Sequence, residues 1–205
     1  MEEQNELRPT CYVAMSLIGI NIVVFVLFEI LGSTLDTVFM LEHGAMYTPY
    51  MEQPSQWYRF FTSLFLHFGM SHLLNNMLLL YALGNYLERY LGRWKFLVLY
   101  LGAGVGANVL SFFFERNSGE QVVSAGASGA VFANMGGLIW VILINKGKLE
   151  NLTTGKMLFM AVLSLYFGFA SQGVDNTAHL GGLILGFVFA IILYRRKPQA
   201  AEEWT

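Results

Sequence analysis

The chain has 205 residues, of which 55% are hydrophobic and only 13% are charged. Soluble domains average about 25% charged residues, so this composition argues against an ordinary water-soluble domain. The formal net charge of -2 comes without a basic patch of interleaved aromatics, which argues against a nucleic-acid partner. Cys11 is the only cysteine in the sequence, which excludes an internal disulfide.

Six apolar stretches are long enough to cross a bilayer, for which a helix needs roughly 20 residues. They cover approximately residues 12–31, 60–84, 95–114, 127–145, 156–171 and 177–194. Together they predict an all-α, polytopic membrane protein with one domain over 12–194, a short N-terminus of 1–11 and a tail of 195–205. The N-terminus is acidic, unlike the basic start of a cleaved signal peptide, so we expect the first span to be retained.

The distribution of Lys and Arg predicts the orientation, because short loops rich in these residues stay on the cytoplasmic side. With six spans both termini share a side, and that side collects ten of the twelve Lys and Arg residues. The opposite side holds only Arg59 and Arg116. We therefore expect a multi-pass protein of the plasma (inner) cell membrane with both termini in the cytoplasm. The first outward loop, about 32–59, is long, and such loops are often functional.

Several polar side chains fall in the outer half of the predicted spans. His67 and His72 lie early in the second span, Ser128 opens the fourth and His179 opens the sixth. Ionisable residues inside a bilayer are costly and usually functional. Each also has a purely structural interpretation, because a serine among glycines commonly serves helix packing and a membrane histidine can clamp two helices.

The spacing of residues within the spans indicates further candidate site and packing residues. His72 and Asn76 lie four residues apart on one helix face, as a pair that either clamps helices or serves catalysis. Gly182 and Gly186 have the spacing of a close helix contact. The glycines of GAGVG at 102–106 lie inside an apolar span and are interpreted as packing positions. No pair of ligand residues has a strong zinc spacing such as HExxH, so a metal site is not expected.

Other polar residues within the spans have less specific interpretations. Three amides are predicted to make interhelical hydrogen bonds: Asn21, Asn108 and Asn134. Two carboxylates near span ends are predicted to anchor loops: Glu29 and Glu88. Asp175 lies four residues before His179, but this spacing does not establish that it orients the imidazole.

The chain resembles the rhomboid intramembrane serine proteases over roughly residues 57–190. The resemblance rests on GASG at 126–129, AHLGG at 178–182, HFGMSHLLNN at 67–76 and the order of six spans. It implies a six-helix bundle that cuts transmembrane substrates with a serine–histidine dyad and without a metal or cofactor. The partners it implies are single-span or polytopic membrane proteins and the lipid bilayer.

By that resemblance Ser128 is the nucleophile and His179 the general base. His72, Asn76 and the backbone N–H of Ser128 would stabilise the oxyanion, and Ala127 is assigned to the same group. Four residues would support the site: Gly126, Gly129, Phe132 and Gly182.

Two positions depart from the family pattern. Many members have Trp directly before the arginine of the outer loop, where this chain has Tyr58 before Arg59. Phe132 stands where an aromatic residue, often Tyr, supports the histidine ring. Phenylalanine keeps the stacking surface but lacks the hydroxyl. These differences bear on how the loop is anchored and on the tuning of His179.

Three functions are compatible with these features: an intramembrane serine protease, an inactive rhomboid-like protein that binds membrane clients, and a small transporter. The second is disfavoured because Ser128 and His179 are both present. The third is disfavoured because no inverted repeat of broken spans is evident. A protease of this kind should cut near helix-weakening residues at the outer end of a substrate span, since a stable helix hides its carbonyls. The substrate and the oligomeric state stay open.

Overall fold

The computed structural model describes residues 11–119, 121–171 and 173–195. The helices in this part are α1 (Tyr12–Leu31), α2 (Thr37–Glu42), α3 (Thr48–Met51), α4 (Arg59–Thr62), α5 (Gly69–Leu79), α6 (Asn85–Leu91), α7 (Arg93–Ser118), α8 (Ser128–Ile144), α9 (Thr154–Ala170) and α10 (Asn176–Leu193). Two antiparallel pairs of two-residue strands accompany them: β1 (Met46–Tyr47) with β2 (Val123–Ser124), and β3 (Lys148–Leu149) with β4 (Leu152–Thr153). Of the predicted N-terminus and tail, all but Cys11 and Arg195 fall outside the described residues.

Six elements of the described chain form the bundle. Three of them, α1, α7 and α10, are long and apolar enough to cross a membrane by length and composition. α8 and α9 are apolar helices of 17 residues each, a length of about 25 Å at the usual rise of a helix. α5, a π-helical segment at Leu80–Gly84 and α6 follow one another without a break and form the sixth element. The predicted all-α membrane bundle is therefore confirmed.

The second membrane element begins later than the hydropathy pattern predicts. The sequence places its start near residue 60, whereas α5 begins at Gly69. Leu66 is extended and Gly69 has a φ of +77°, so the helix is interrupted between the outer loop and α5. Leu64 and Leu66 are buried in the packing of the outer loop, and their apolar character makes the two segments look continuous. At its inner end the element runs on to Leu91.

The segment between α1 and α5, which the sequence predicts as the first outer loop and which keeps that name below, is folded. Its strand β1 pairs with β2, the strand that leads into α8. Arg59 is buried and donates from Nη1 to the carbonyl oxygens of Leu41 at 2.6 Å and Ala45 at 2.8 Å. One guanidinium thus holds two turns of the loop together beside the segment that carries Ser128.

α7, α8 and α10 approach one another at glycines. A Cβ placed on Gly182 of α10 would lie 2.1 Å from the carbonyl oxygen of Gly129 in α8. One placed on Gly186 would lie 2.0 Å from the carbonyl oxygen of Ala133. The predicted close contact at these two glycines is confirmed, and its partner is α8. Cβ atoms placed on the glycines of 102–106 would lie 2.7 to 2.8 Å from atoms of neighbouring side chains. These glycines are therefore packing positions, as predicted.

The buried amides divide into three cases. Asn108 donates to the carbonyl oxygen of Phe60 at 2.9 Å and so makes the predicted contact between elements. Asn21 donates to Leu17 in its own helix at 2.8 Å, so the prediction of an interhelical bond is wrong there. Asn134 is fully buried, and its amide atoms have no hydrogen-bond partner among the described residues.

The two carboxylates near span ends both bind backbone N–H groups, but only Glu29 anchors a loop as predicted, because the partners of Glu88 lie in a helix. Glu88 accepts hydrogen bonds from Val13 at 3.1 Å and Ala14 at 2.7 Å, in the first turn of α1. These N–H groups have no partner within their helix, and a negative charge there is favourable. Glu29 accepts from the N–H of Thr34 at 3.1 Å, which holds the start of the outer loop.

Candidate active site

Ser128 is the first residue of α8, and a tight turn leads the chain to it. Gly126 has a φ of +146°, in the left-handed region that favours glycine. Its N–H donates to the carbonyl oxygen of Ser63 at 2.9 Å, which fixes the turn to the outer loop. Ala127 follows as the N-cap with φ -71° and ψ -2°. The turn therefore places Ser128 at the start of α8, where the first N–H groups of the helix have no intrahelical partner.

His179 lies in the first turn of α10 and is held against the start of α8. Its ring stacks on Phe132, with ring centroids 4.3 Å apart and an interplanar angle of 15°. Phe132 is one helical turn beyond Ser128, so the stack directs the imidazole toward the end of α8 that carries the serine. A Cβ on Gly129 would lie 3.6 Å from the Ala178 carbonyl oxygen, which shows how closely the two helix starts approach.

The helix starts that carry Ser128 and His179 lie side by side, and no hydrogen bond joins the two side chains among the described residues. The Nδ1 atom of His179 likewise has no hydrogen-bond partner there. Contacts between a nucleophile and its base are often long in a free enzyme and shorten when substrate binds. The contact that holds the imidazole of His179 is its stack on Phe132.

His72 and Asn76 both face the turn that precedes Ser128. A Cβ on Gly126 would lie 2.7 Å from Cε1 of His72 and 3.7 Å from Nδ2 of Asn76. Asn76 is buried, and its Nδ2 donates to no described residue. The structure thus brings the two predicted oxyanion-stabilising side chains to one place, and the amide of Asn76 keeps an unused donor.

His67 has a contact that the sequence did not indicate. The N–H of Ala127 donates to Nε2 of His67 at 3.3 Å, and the imidazole is almost fully buried. The Ala127 N–H was expected among the oxyanion-stabilising groups, but this bond engages it. His67 precedes α5, so no helical spacing to His72 could have pointed to this role.

The carboxylate of Asp175 makes no hydrogen bond to the imidazole of His179 among the described residues. It is the N-cap of α10 and accepts a hydrogen bond from the N–H of Ala178 at 2.7 Å. Its carbonyl oxygen accepts the N–H of His179 at 3.2 Å, as in an ordinary first helical turn. Among the described residues, no group of three or more His, Cys, Asp or Glu is arranged to hold a metal ion.

Comparison with known proteins identifies relatives in one family. A family model described as Rhomboid domain matches residues 54–196. Rhomboid protease GluP of Bacillus subtilis (strain 168) is 36% identical over 183 residues, which is 89% of this chain and 35% of GluP. RHOMBOID-like protein 5 of Arabidopsis thaliana is 35% identical over 172 residues, 83% of this chain and 53% of that protein. Putative rhomboid protease YdcA of Bacillus subtilis (strain 168) is 28% identical over 144 residues, 70% of this chain and 71% of YdcA.

The chain belongs to the rhomboid family, because the family model covers more than half of it and includes every candidate site residue from His72 to Gly182. Its apolar helices and this family make it an integral membrane protein. The chain spans well under two thirds of the length of GluP and of RHOMBOID-like protein 5.

Proposed function

We propose that this chain is an intramembrane serine endopeptidase in which Ser128 is the nucleophile and His179 the general base. The observation that carries the proposal is the stack of His179 on Phe132 beside the glycine contact of α8 with α10. That contact joins the two helix starts that carry the serine and the histidine. The names of GluP and YdcA as rhomboid proteases support the same reaction.

In the first half of the reaction the Ser128 oxygen attacks the carbonyl carbon of the scissile peptide. His179 takes the hydroxyl proton as the new C–O bond forms, because a neutral serine is a weak nucleophile. The carbonyl electron pair moves to oxygen and produces a tetrahedral oxyanion. His179 then gives its proton to the amide nitrogen as the C–N bond breaks. One fragment leaves as an amine and the other stays bound as an ester of Ser128.

In the second half a water molecule attacks the ester carbon. His179 takes a proton from the water, the oxyanion forms again, and the proton returns to the serine oxygen as the ester bond breaks. The second fragment leaves as a carboxylic acid. No metal or cofactor takes part in these steps.

The oxyanion is assigned to the N–H of Ser128, the Nδ2 of Asn76 and the imidazole of His72. The Asn76 donor supports this assignment, because it is buried, unused and directed at the turn of Gly126. Removing one donor of an oxyanion hole typically lowers kcat about 10²- to 10³-fold. His67 is assigned a supporting role, since its bond to Ala127 holds the turn in place.

The substrates are proposed to be transmembrane segments of membrane proteins, cut near the outer end where glycine, alanine, serine or proline weakens the helix. The distribution of Lys and Arg supports this placement, because it favours both termini in the cytoplasm and the candidate site in the outer half of the bilayer, which we take to be the plasma membrane. A reporter with its weakened segment at the outer end should be cut, and one with the same segment at the cytoplasmic end should stay intact. Equal cutting of both reporters would overturn the placement.

Covalent labelling by a fluorophosphonate tests the reaction without a known substrate. An activated serine displaces fluoride from the phosphorus and becomes labelled. Wild type should label, whereas Ser128→Ala and His179→Ala should not. Two matched controls carry the same changes at exposed sites: Ser16→Ala on α1 and His43→Ala in the outer loop, and both should label like wild type.

The labelling result separates the alternatives. Folded wild type that fails to label in lipid would contradict the protease and favour a client-binding protein without activity. Transport of a solute that survives Ser128→Ala would favour a transporter. Labelling that persists in Ser128→Ala would show that another serine reacts and would overturn the assignment of the nucleophile.

A further inference from the structure

The carboxylate of Asp175 collects three hydrogen bonds from three different elements. Its Oδ1 accepts from the N–H of Ala178 at 2.7 Å, in the first turn of α10. The same oxygen accepts from the hydroxyl of Ser111 on α7 at 2.7 Å. Its Oδ2 accepts from the hydroxyl of Ser124 on β2 at 2.9 Å. A helix cap needs only the first of these bonds, so the other two require a separate explanation.

The elements joined here are those that lead to the two candidate catalytic residues. Ser124 ends β2 and precedes the turn into Ser128. Asp175 opens α10 and stands one turn before His179. Ser111 belongs to α7, which packs against both α8 and α10. A single side chain therefore connects the segment of the serine to the helix of the histidine.

We propose that Asp175 is a positioning residue that sets the separation of Ser128 and His179, an inference that rests on the proposed function. The residue acts through its hydrogen bonds to β2 and to the first turn of α10, and it makes no hydrogen bond to the imidazole. Hydrogen bonds to an ionised carboxylate are roughly twice as strong as those between neutral groups, so this contact can resist the relative motion of the two segments.

The connection extends into the outer loop. The Ser111 hydroxyl also lies 3.1 Å from Oε1 of Glu115 on the same helix, and it can donate its one proton to only one carboxylate at a time. The other oxygen of Glu115 accepts a hydrogen bond from the hydroxyl of Thr48 in α3. The loop that covers the site and the helix of His179 thus share one polar cluster.

Hydrogen exchange tests this connection whether or not the chain is a protease. In Asp175→Ala, the backbone of residues 121–129 should exchange faster, together with that of 174–181. Asp175→Ser keeps a short capping oxygen that cannot reach Ser124, so it should restore protection at 174–181 but not at 121–129. Asp36→Ala removes another N-cap aspartate, at α2, and should leave both segments unchanged. Unchanged exchange of 121–129 in Asp175→Ala would overturn the proposal.

A milder variant keeps the test valid if Asp175→Ala does not fold. Ser124→Ala deletes only the bond from β2 and should raise exchange at 121–129 alone. Its effect should vanish in the background of Asp175→Ser, since that side chain has already lost the same contact. Independent effects of the two changes would contradict the connection.

Labelling rates then test the catalytic consequence. Asp175→Ala should label roughly 10- to 100-fold more slowly, because displacing a catalytic group by about 1 Å can cost 10²-fold. Asp175→Asn keeps an oxygen for the cap and has an amide that can donate to the hydroxyl oxygen of Ser124, so it should recover most of the rate, whereas Asp36→Ala should match wild type. Wild type that does not label would refute the proposed function, while the exchange result would still decide the connection. If Asp175→Ala showed altered exchange but labelled at the wild-type rate, the positioning role would be refuted.

Discussion

The glycine contact between α8 and α10 makes the sharpest prediction about the site. In Gly182→Ala the new Cβ would lie 2.1 Å from the carbonyl oxygen of Gly129. That oxygen belongs to the backbone and cannot swing away as the end of a side chain could. The two helices would have to separate by roughly 1 Å, and strain of this kind typically costs 1–3 kcal/mol.

The separation should affect catalysis more than folding. His179 lies one turn before Gly182 on α10, and Ser128 is adjacent to Gly129 on α8. Moving these helices apart therefore moves the base from the nucleophile, and an error of about 1 Å can lower the rate about 10²-fold. We expect the fluorophosphonate labelling rate to fall by about that factor, while thermal unfolding still shows a folded protein.

Gly19→Ala is the matched control for this change. Gly19 is exposed on α1, and a Cβ there would meet nothing within 4 Å. Alanine favours a helix over glycine by about 1 kcal/mol, so this variant should be at least as stable as wild type and should label at the same rate. If Gly182→Ala also labelled at the wild-type rate, the argument that this contact sets the catalytic geometry would be refuted.

Three further predictions concern the surroundings of the site. Gly126→Ala combines a backbone φ of +146° with a Cβ 2.7 Å from the His72 ring, so labelling should be abolished; retained labelling would contradict the assigned turn. Phe132→Leu removes the ring that stacks on His179 and should slow labelling about 10-fold, whereas Phe132→Tyr should keep most of the rate, because the stacking is worth about 0.5–1.5 kcal/mol. Arg59→Gln breaks the charged bonds to two loop carbonyls and should lower the free energy of unfolding by about 2–3 kcal/mol, measured by chemical denaturation. An unchanged midpoint would show that the loop does not depend on this guanidinium.

Predictions from local sequence patterns agree with the structure, whereas predictions that depend on contacts between distant segments are less accurate. Hydropathy located the six membrane elements, because burial in lipid acts on every residue of a span. It misplaced the start of the second, since Leu64 and Leu66 are equally apolar but are buried by the outer loop. Asn21 shows the same limit, because a buried amide can bond within its own helix as well as across an interface.

The candidate site likewise contains residues that local motifs predicted and a contact that they did not. Ser128, His179, His72 and Asn76 were found from short motifs, whose residue types and spacing are local properties. Their assigned roles stay predictions for the labelling experiments. The sequence located His67 but not its role, because its partner, the N–H of Ala127, is distant in sequence and is in contact only in the folded chain.

The sequence by itself determined that this protein is a bundle of apolar helices with a serine and a histidine at two helix starts. Composition, charge distribution and short motifs carry that information without reference to a fold. The tertiary structure alone decided which groups meet: Phe132 with His179, Gly182 with Gly129, and Asp175 with Ser111 and Ser124. These contacts depend on distances between segments far apart in the chain, and those distances exist only once the helices have packed.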